Sequence, residues 1–287
     1  MSQPSAPLPP PRPAAAEASL DARSRVLEHA VDYAVQAPSV HDTLPWRIEL
    51  QPGRMLLRGD RTRQLTALDP RGRELVQTVG AALFNVRVAL ADAGWGAEIE
   101  RIPRPDDPDL LAAVRPVVGP PDPDLAALAA FVTLRDTDRR RFTDAHVPDD
   151  VLRRLTEIAE LEGVLLIPVA DEAHRLLVAR LVQQADVLRS AGARHPAGAG
   201  ERPPETHSHA EQTMVLLATR SDDQAAWLRA GEALQHVLLE LTRLGWVASP
   251  LPQAVEVPLT RTQLRAALTW NGHPQMLLRI GSTEPAP

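Results

Sequence analysis

The sequence predicts an α+β protein built from two fused copies of one half-domain. Its helical and strand patterns mix without the regular strand–helix–strand alternation of a parallel sheet, which favours an α+β architecture. Its 287 residues, 44% of them hydrophobic, are enough for one large domain or two small ones. Its most informative pattern is a phrase that occurs twice, as GAALFNVRVALADAGW at 80–95 and as GEALQHVLLELTRLGW at 231–246.

The two copies of this phrase match at a constant offset of 151 residues (231 − 80). In each copy the apolar residues follow helical spacing and a glycine follows the last turn, which is typical of a buried helix with a C-terminal cap. Two such halves usually pair about a pseudo-twofold axis, and the seam between them is where we expect a ligand. The identical pairs are Gly80/Gly231, Ala82/Ala233, Leu83/Leu234, Val86/Val237, Leu90/Leu241, Gly94/Gly245 and Trp95/Trp246.

This internal duplication predicts the division of the chain. We expect a disordered, proline-rich tail over residues 1–19, a first half over 20–123 and a second half over 124–287. The tail lacks the basic start and the apolar segment of a signal peptide. No apolar run approaches the roughly 20 residues that a bilayer requires, so we expect a cytoplasmic protein that does not bind a membrane.

The first half begins with an apolar stripe that predicts a helix over 20–37, ended by a proline. Alternating residues over 46–50, followed by 55–57, predict a β-hairpin that leads towards the first repeated helix. Residues 97–101 form a short candidate strand. Residues 102–124 are rich in proline and aspartate and resemble a connector.

The second half carries its own series of patterns around the second repeated helix. A capping pattern and a strand-like apolar run open it, and a loop of small and polar residues precedes the next strand. The expected elements are a helix at 149–162, a strand at 164–169, a helix at 171–190, a loop at 191–211, a strand at 214–219, a turn after Gly245, a short helix at 260–268 and a strand at 275–280.

The composition excludes several classes of chemistry. The net charge of −6 argues against a general nucleic-acid binder. The chain contains no cysteine, which excludes thiol catalysis, disulfides and cysteine metal sites. It also contains no lysine, because all 31 basic residues are arginine, and this excludes Schiff-base chemistry and the P-loop lysine. Any anion must therefore be bound by arginine or by backbone N–H groups.

Two loops contain candidate ligand-binding residues. Pro38, Ser39 and His41 lie in a polar turn between two prolines, and such a rigid turn suits hydrogen bonding to a planar heteroaromatic ring; the alternative is a plain helix-to-strand loop. Arg135, Thr137 and Arg139 alternate along a charged segment. Guanidinium and hydroxyl donors in this pattern suit a phosphate, although a solvated charge run is the alternative.

Two further candidates lie near the C-terminus. Ser249, Pro250 and Leu251 follow the second repeated helix, where backbone N–H groups could face a cofactor or simply form a turn. Arg279 lies inside an apolar strand, so it requires a partner, either an anionic ligand or a carboxylate.

His207 and His209 lack further ligands, so we expect no metal site. Asp69 and Glu74 are expected to serve a helix N-terminus rather than acid–base catalysis. No nucleophile elbow or glycine-rich phosphate loop is present.

In their order along the chain, these motifs resemble the nitroreductase-like FMN-binding superfamily. Within it the chain is similar to the Acg-type branch, in which two nitroreductase-like halves are fused in one polypeptide. The resemblance extends from about residue 20 to about residue 283. The motifs that support it are PSVHDTLPW, DPRGRE followed by the first repeat, RDTDRRRF, WLRAGEALQHVLLE, GWVASPLPQ and PQMLLRIG.

The resemblance implies non-covalent FMN at the seam and electron transfer from NAD(P)H to a small quinone or nitro-type acceptor. The flavin itself would perform this chemistry, so no catalytic protein residue is expected. Asp42 and Leu44 depart from the asparagine and glutamine that are usual in the ring-lining segment. The implied phosphate contacts are Arg135, Thr137, Arg139 and Arg279. The implied ring contacts are Pro38, Ser39 and His41 from one half and Ser249, Pro250 and Leu251 from the other.

The repeat also bears on stoichiometry and activity. Aligning residues 26–27 with 151–152, an offset of 125, places no phosphate motif before the first helix and no ring-lining turn after 161. We therefore expect one FMN per chain, in a monomeric pseudo-dimer or a homodimer. The leading hypothesis is an FMN-dependent NAD(P)H oxidoreductase. The alternatives are a flavin-sequestering protein with little or no turnover and a flavin-free interaction scaffold.

Overall fold

The structure combines helices with two antiparallel sheets, which confirms the α+β prediction. The computed structural model describes residues 13–38, 44–135, 142, 146–192, 212–269 and 272–282. The first half contains α1 (Pro13–Ala34), β1 (Trp46–Gln51), β2 (Arg54–Gly59), α2 (Arg73–Asp92), β3 (Gly96–Arg101) and β4 (Leu110–Val117). The second half contains α3 (Pro123–Ala126), α4 (Ala129–Val132), α5 (Asp149–Leu161), β5 (Leu165–Pro168), α6 (Glu172–Gly192), β6 (Thr213–Thr219), α7 (Gln224–Arg243), β7 (Val247–Pro250), α8 (Gln253–Glu256), α9 (Pro258–Leu264) and β8 (His273–Gly281).

The two sheets are copies of each other in topology and in register. Their strand orders are β1-β2-β4-β3 and β5-β6-β8-β7, and every strand pair is antiparallel. Both sheets shift register at the same place, between Leu57 and Arg58 in β2 and between Leu217 and Ala218 in β6. This correspondence confirms a fused two-repeat fold. The second half differs by the insertion of α6 before β6 and of α8 and α9 before β8.

The two repeated helices, α2 and α7, pack against each other at their shared glycine. A Cβ atom on Gly80 would fall on the backbone carbonyl oxygen of Leu228, and a Cβ atom on Gly231 would fall on that of Gln77. The offset of 151 converts 77 into 228 and 80 into 231, so these two contacts are the same contact exchanged. Such reciprocity is the signature of a twofold interface, here within one chain.

A second exchanged contact lies further along the same helices. The side-chain amide of Gln235 donates to Asn85 Oδ1 at 2.7 Å. The rings of Phe84 and His236 stack with their centroids 4.6 Å apart. Because positions 84 and 85 correspond to 235 and 236, the twofold relation places a hydrogen bond on one side of the crossing and a ring stack on the other. The two halves therefore have the same backbone arrangement at this crossing, whereas their side chains have diverged.

Three elements differ from the sequence predictions. Helix α1 begins at Pro13, so residues 13–19 belong to a helix rather than to the expected tail. The alanine-rich start favours helix, and proline is tolerated in a first helical turn. Strand β4 lies within the predicted connector, and its apolar residues are buried between β2 and β3. Strand β7 lies where a turn was expected, and it pairs with β8. The boundary at 123/124 stays a prediction.

Helix α2 is 20 residues long and strongly apolar. Among the described residues it is the one helix long and apolar enough to cross a membrane, and 94% of its apolar window is buried inside this fold. A core helix of this kind meets the same criteria as a membrane span. Its burial against α1 and α7 accounts for its composition.

Candidate functional site

The predicted phosphate segment begins beside the predicted ring-lining turn. Arg135 follows α4, and its Nη2 donates to the backbone oxygen of Gln36 at 3.1 Å. Gln36 lies in the turn after α1, two residues before Pro38, so a residue of the second half contacts the loop of the first. Ser39, His41, Thr137 and Arg139 lie outside the described residues.

Arg279 and Ser249 face each other across the β7–β8 strand pair. Both are buried, with 6% of each residue exposed. Arg279 Nη1 donates to Gln212 Oε1 at 3.2 Å, and the guanidinium carbon lies 4.2 Å from the centroid of the Phe142 ring. Next to Ser249, the Leu251 backbone N–H donates to Leu277 O at 2.8 Å, so Pro250 and Leu251 are held at the end of β7. Of the candidates from the sequence, the described residues therefore form two groups, one at Arg135 and Pro38 and one at Arg279 and 249–251.

The first half has a different side-chain pair at the same register position. Glu98 faces Arg115 across β3 and β4, two residues in from the Gly96–Val117 pair, just as Ser249 faces Arg279 two residues in from Val247–Gly281. Arg115 Nη1 lies 3.7 Å from Glu98 Oε2, and these side chains are 57% and 62% exposed. One half therefore presents a surface ion pair where the other buries an arginine opposite a hydroxyl.

A buried ion-pair network lies at the seam. Glu232 on α7 accepts from Arg101 at 2.6 and 2.7 Å through both carboxylate oxygens, and from Arg87 on α2 at 2.8 Å. Arg87 also donates to Glu162, just after α5, at 2.6 Å, and His236 Nδ1 lies 3.2 Å from the same carboxylate. Burial opposes ionisation of Glu162, but the hydrogen bonds from His236 and Arg87 outweigh it and lower its pKa to about 2. The network joins the two halves through charge.

The pseudo-equivalent positions on the other side of the seam are all apolar. For the charged residues on α2, β3 and α7, the counterpart lies 151 residues away in the sequence. For Glu162, which follows α5, the counterpart lies 125 residues earlier, just after α1. The offset of 125 also pairs buried positions of the two helices, such as Ala34 in α1 and Ala159 in α5. The counterparts of Arg87, Glu232, Arg101 and Glu162 are Leu238, Ala81, Pro252 and Ala37. Two of these counterparts, Ala37 and Pro252, directly adjoin the predicted ring-lining residues Pro38 and Leu251.

Asp69 and Glu74 take different roles at the start of α2. The Asp69 carboxylate accepts from the backbone N–H groups of Arg73, Glu74 and Leu75 at 2.8–3.0 Å, which confirms its predicted role at a helix N-terminus. Glu74 is instead buried, with Oε1 3.2 Å from Arg73 Nη2. Glu74 also lines a cavity together with Pro45, Asp69 and Thr78. The cavity volume of about 20 Å³ has room for one water molecule.

Glu74 is expected to make stability depend on pH. Burial raises its pKa to about 8, and the nearby carboxylate of Glu256 adds to the shift. The unfolded chain loses this proton near pH 4.5 and the folded chain near pH 8, so the free energy of unfolding should fall between these values. Between pH 5 and pH 8 the free energy of unfolding of the wild-type protein should fall by an amount on the order of 3 kcal/mol, and Glu74→Gln should remove this fall. Urea unfolding at each pH measures both proteins. Exposed Glu98→Gln is the control; equal pH slopes in wild type and Glu74→Gln would contradict the assignment.

Within the described ranges, no group of three or more His, Cys, Asp or Glu side chains could bind a metal ion. His207 and His209 lie outside these ranges. No local sequence pattern indicated that Phe142 and Gln212 contact Arg279. The network did leave one sign, because Glu232 breaks an otherwise apolar match with Ala81 in the repeat.

Two copies of one half, joined at crossing helices with a buried arginine near the seam, define a fused pseudo-dimer. The chain is 36% identical over 285 residues to Rv3131 of Mycobacterium tuberculosis H37Rv, which carries the name of an NAD(P)H nitroreductase; the match covers 86% of this chain and 82% of that protein. It is 30% identical over 296 residues to Acg of the same strain, which carries the same class name, with 89% and 88% covered. The chain belongs to this nitroreductase-like family, with Acg-type relatives.

Solved structures are also similar to part of the chain. A nitroreductase with bound FMN from Bacteroides fragilis overlaps with 55% of this chain and 88% of its own, at 16% identity and a TM-score of 0.41. The FMN- and NADPH-dependent nitroreductase NfnB of a Sphingopyxis strain overlaps with 55% of this chain and with 88% of its own chain, at 19% identity and a TM-score of 0.41. No family model matches the chain.

Proposed function

We propose that this chain is an FMN-dependent NAD(P)H oxidoreductase that passes electrons to a small quinone or nitro-type acceptor, with one FMN bound at the seam. The observation that carries the proposal is the difference between the two equivalent arginines. Arg279 is buried opposite Ser249, whereas Arg115 is exposed and paired with Glu98. The class name of the relatives supports the activity. A cytoplasmic location stays a prediction.

The described residues fit the phosphate of such a cofactor. A buried guanidinium favours an anion, because taking its charge out of water is costly unless a counter-charge or strong hydrogen bonds compensate. Arg279 has a hydroxyl side chain opposite it in the sheet, and hydroxyls are good phosphate donors. In the first half the Glu98 carboxylate would repel a phosphate at the equivalent place. The proposed phosphate contacts are Arg135, Thr137, Arg139 and Arg279.

The same side of the seam fits a planar, largely neutral ring. Ala37 and Pro252 adjoin the two predicted ring-lining segments, where the opposite side of the seam contains Glu162 and Arg101. Apolar walls exclude water and leave backbone groups at the turn to set the orientation of the ring. The proposed ring contacts are Pro38, Ser39, His41, Ser249, Pro250 and Leu251.

The protein's part in the reaction is binding and orientation. When bound, FMN supplies the hydride chemistry. The arginines neutralise the phosphate and fix its position, and the segments from the two halves hold the ring between them. Because the ring contacts come from both halves, the site forms only when α2 and α7 are packed together.

The visible spectrum of the purified protein, recorded before and after anaerobic addition of NADPH, tests this function. Flavin bands that bleach within seconds would support the oxidoreductase. Bands that persist would favour flavin sequestration without turnover. A colourless protein that takes up no added FMN would contradict both proposals and leave the scaffold alternative.

Replacing each of the two equivalent arginines by methionine should show which half contains the proposed phosphate site. Arg279→Met should weaken FMN binding by about 10- to 100-fold, because a charge-assisted bond contributes about 1.5–3 kcal/mol. Arg115→Met, the matched control, should leave the FMN dissociation constant unchanged. Flavin fluorescence titration gives both values and the stoichiometry, expected to be one per chain. Equal losses in the two variants, or two flavins per chain, would contradict the one-site proposal.

A further inference from the structure

Arg135 and Phe142, which flank the charged segment 136–141 in the sequence, contact different halves of the molecule. At its start, Arg135 donates to Gln36 O at the end of α1 in the first half. At its end, Phe142 is buried, with 3% of the residue exposed, against Arg279 and Gly281 of β8 in the second half. The two described residues on either side of Thr137 and Arg139 in the sequence thus contact different halves.

We propose that Phe142 is a positioning residue that fixes the Arg279 guanidinium for a phosphate ligand and thereby makes the chain select FMN over riboflavin. This inference rests on the proposed function, since it concerns the phosphate end of the same site. It assigns to an aromatic side chain a role that neither the motif pattern nor the relatives' names provide.

The geometry suits this role because the ring occupies the face of the guanidinium. A centroid distance of 4.2 Å lies within the range of cation–π contact. The five N–H donors of arginine lie in the guanidinium plane, so a ring on its face uses none of them. Gln212 accepts from Nη1 at 3.2 Å, also without adding charge. The ring therefore immobilises a long side chain without using any of its N–H donors.

Gly281 makes room for this ring. A Cβ atom at Gly281 would lie 2.7–2.8 Å from three atoms of Phe142, closer than van der Waals contact allows. The equivalent position in the first half, two residues beyond Arg115 in β4, is Val117. A ring could not pack in the same way there. Around this equivalent arginine, the second half therefore differs from the first at two linked positions, with Ser249 and Gly281 in place of Glu98 and Val117.

Comparing FMN with riboflavin isolates the phosphate contribution. Phe142→Leu should weaken FMN binding about tenfold and leave riboflavin binding within about twofold, since loss of the ring frees Arg279 without touching the ring-lining residues. Phe142→Tyr retains an aromatic face and should keep the wild-type FMN affinity. Fluorescence titration of each flavin against each purified protein measures these ratios, with Arg279→Met as the reference for complete loss of the arginine.

Three results would overturn the inference. Phe142→Leu could weaken the binding of FMN and of riboflavin equally, which would indicate a structural role only. It could leave the binding of both flavins unchanged. Phe142→Tyr could also fail to keep the wild-type FMN affinity. If Phe142→Leu does not fold, Gly281→Ala displaces the ring without removing buried volume and should give the same FMN-selective loss. An FMN-selective loss in Arg279→Met alone would leave the proposed function intact and reject the role of Phe142. Wild-type protein that binds neither flavin would reject the proposed function and this inference with it.

Discussion

Replacing Gly231 by alanine is expected to destabilise the protein by about 3 kcal/mol or more. The added Cβ would fall on the backbone of Gln77 in α2, which cannot move aside as a flexible side chain would. Alanine favours helix over glycine by about 1 kcal/mol, and the steric conflict must exceed this gain. Separating α2 from α7 would also strain the buried contacts of Asn85 and Phe84 with the other helix.

Urea unfolding of Gly231→Ala measures this effect, and Gly119→Ala is the matched control. A Cβ at Gly119 would meet nothing within 4 Å, so this variant should stay within about 0.5 kcal/mol of wild type. Gly80→Ala should resemble Gly231→Ala, because the two glycines make the same contact exchanged. The loss in free energy of unfolding of the double variant should be smaller than the sum of the losses of the two single variants, since either alanine already separates the helices. A Gly231→Ala protein as stable as the control would contradict this account of the crossing.

Replacing Glu232 by glutamine should cost about 3–5 kcal/mol. Glu232 is fully buried and binds Arg101 through both oxygens and Arg87 through one. Removing its charge leaves two arginines at the seam with Glu162 as the remaining carboxylate of the network. An uncompensated buried charge is far more costly than a missing surface pair, because water cannot solvate it.

The control for Glu232→Gln is Glu98→Gln, which removes the exposed pair with Arg115. That change should alter the free energy of unfolding by less than about 1 kcal/mol, because solvent screens such pairs. Both variants are measured by urea unfolding at the same pH and salt. If Glu232→Gln lost no more stability than Glu98→Gln, the network would not stabilise the seam.

The repeated helices could be predicted from the sequence because their signal is local. Helical spacing and the glycine after the last turn lie within one short phrase, and comparison of two phrases required no long-range contact. Strands β4 and β7 could not be predicted in the same way. The apolar run of β4 lies among prolines and aspartates, and what stabilises it is pairing with β2 and β3, which are distant in sequence.

The same distinction holds for the site. Arg135 and Arg279 were predicted as site residues from motifs that resemble those of a known family, and each motif consists of a few neighbouring residues. Phe142 and Gln212 contact Arg279 across many intervening residues, so no local pattern indicated them. Glu74 was expected to serve the helix N-terminus, yet its burial against the second half depends on how Arg73 crosses the seam to Val255 O and Gln275 O.

Fusion of the halves changes what a single mutation does. In a homodimer encoded by one short gene, a carboxylate opposite the arginine would appear at both copies of the position and remove every phosphate site at once. In this chain Glu98 and Ser249 are separate codons, so one half could acquire the ion pair with Arg115 while the other kept Ser249 opposite Arg279. The side of the seam that lacks the predicted ring-lining residues is thereby released from selection for binding, and charged residues such as Glu232 can accumulate on that side and hold the two halves together.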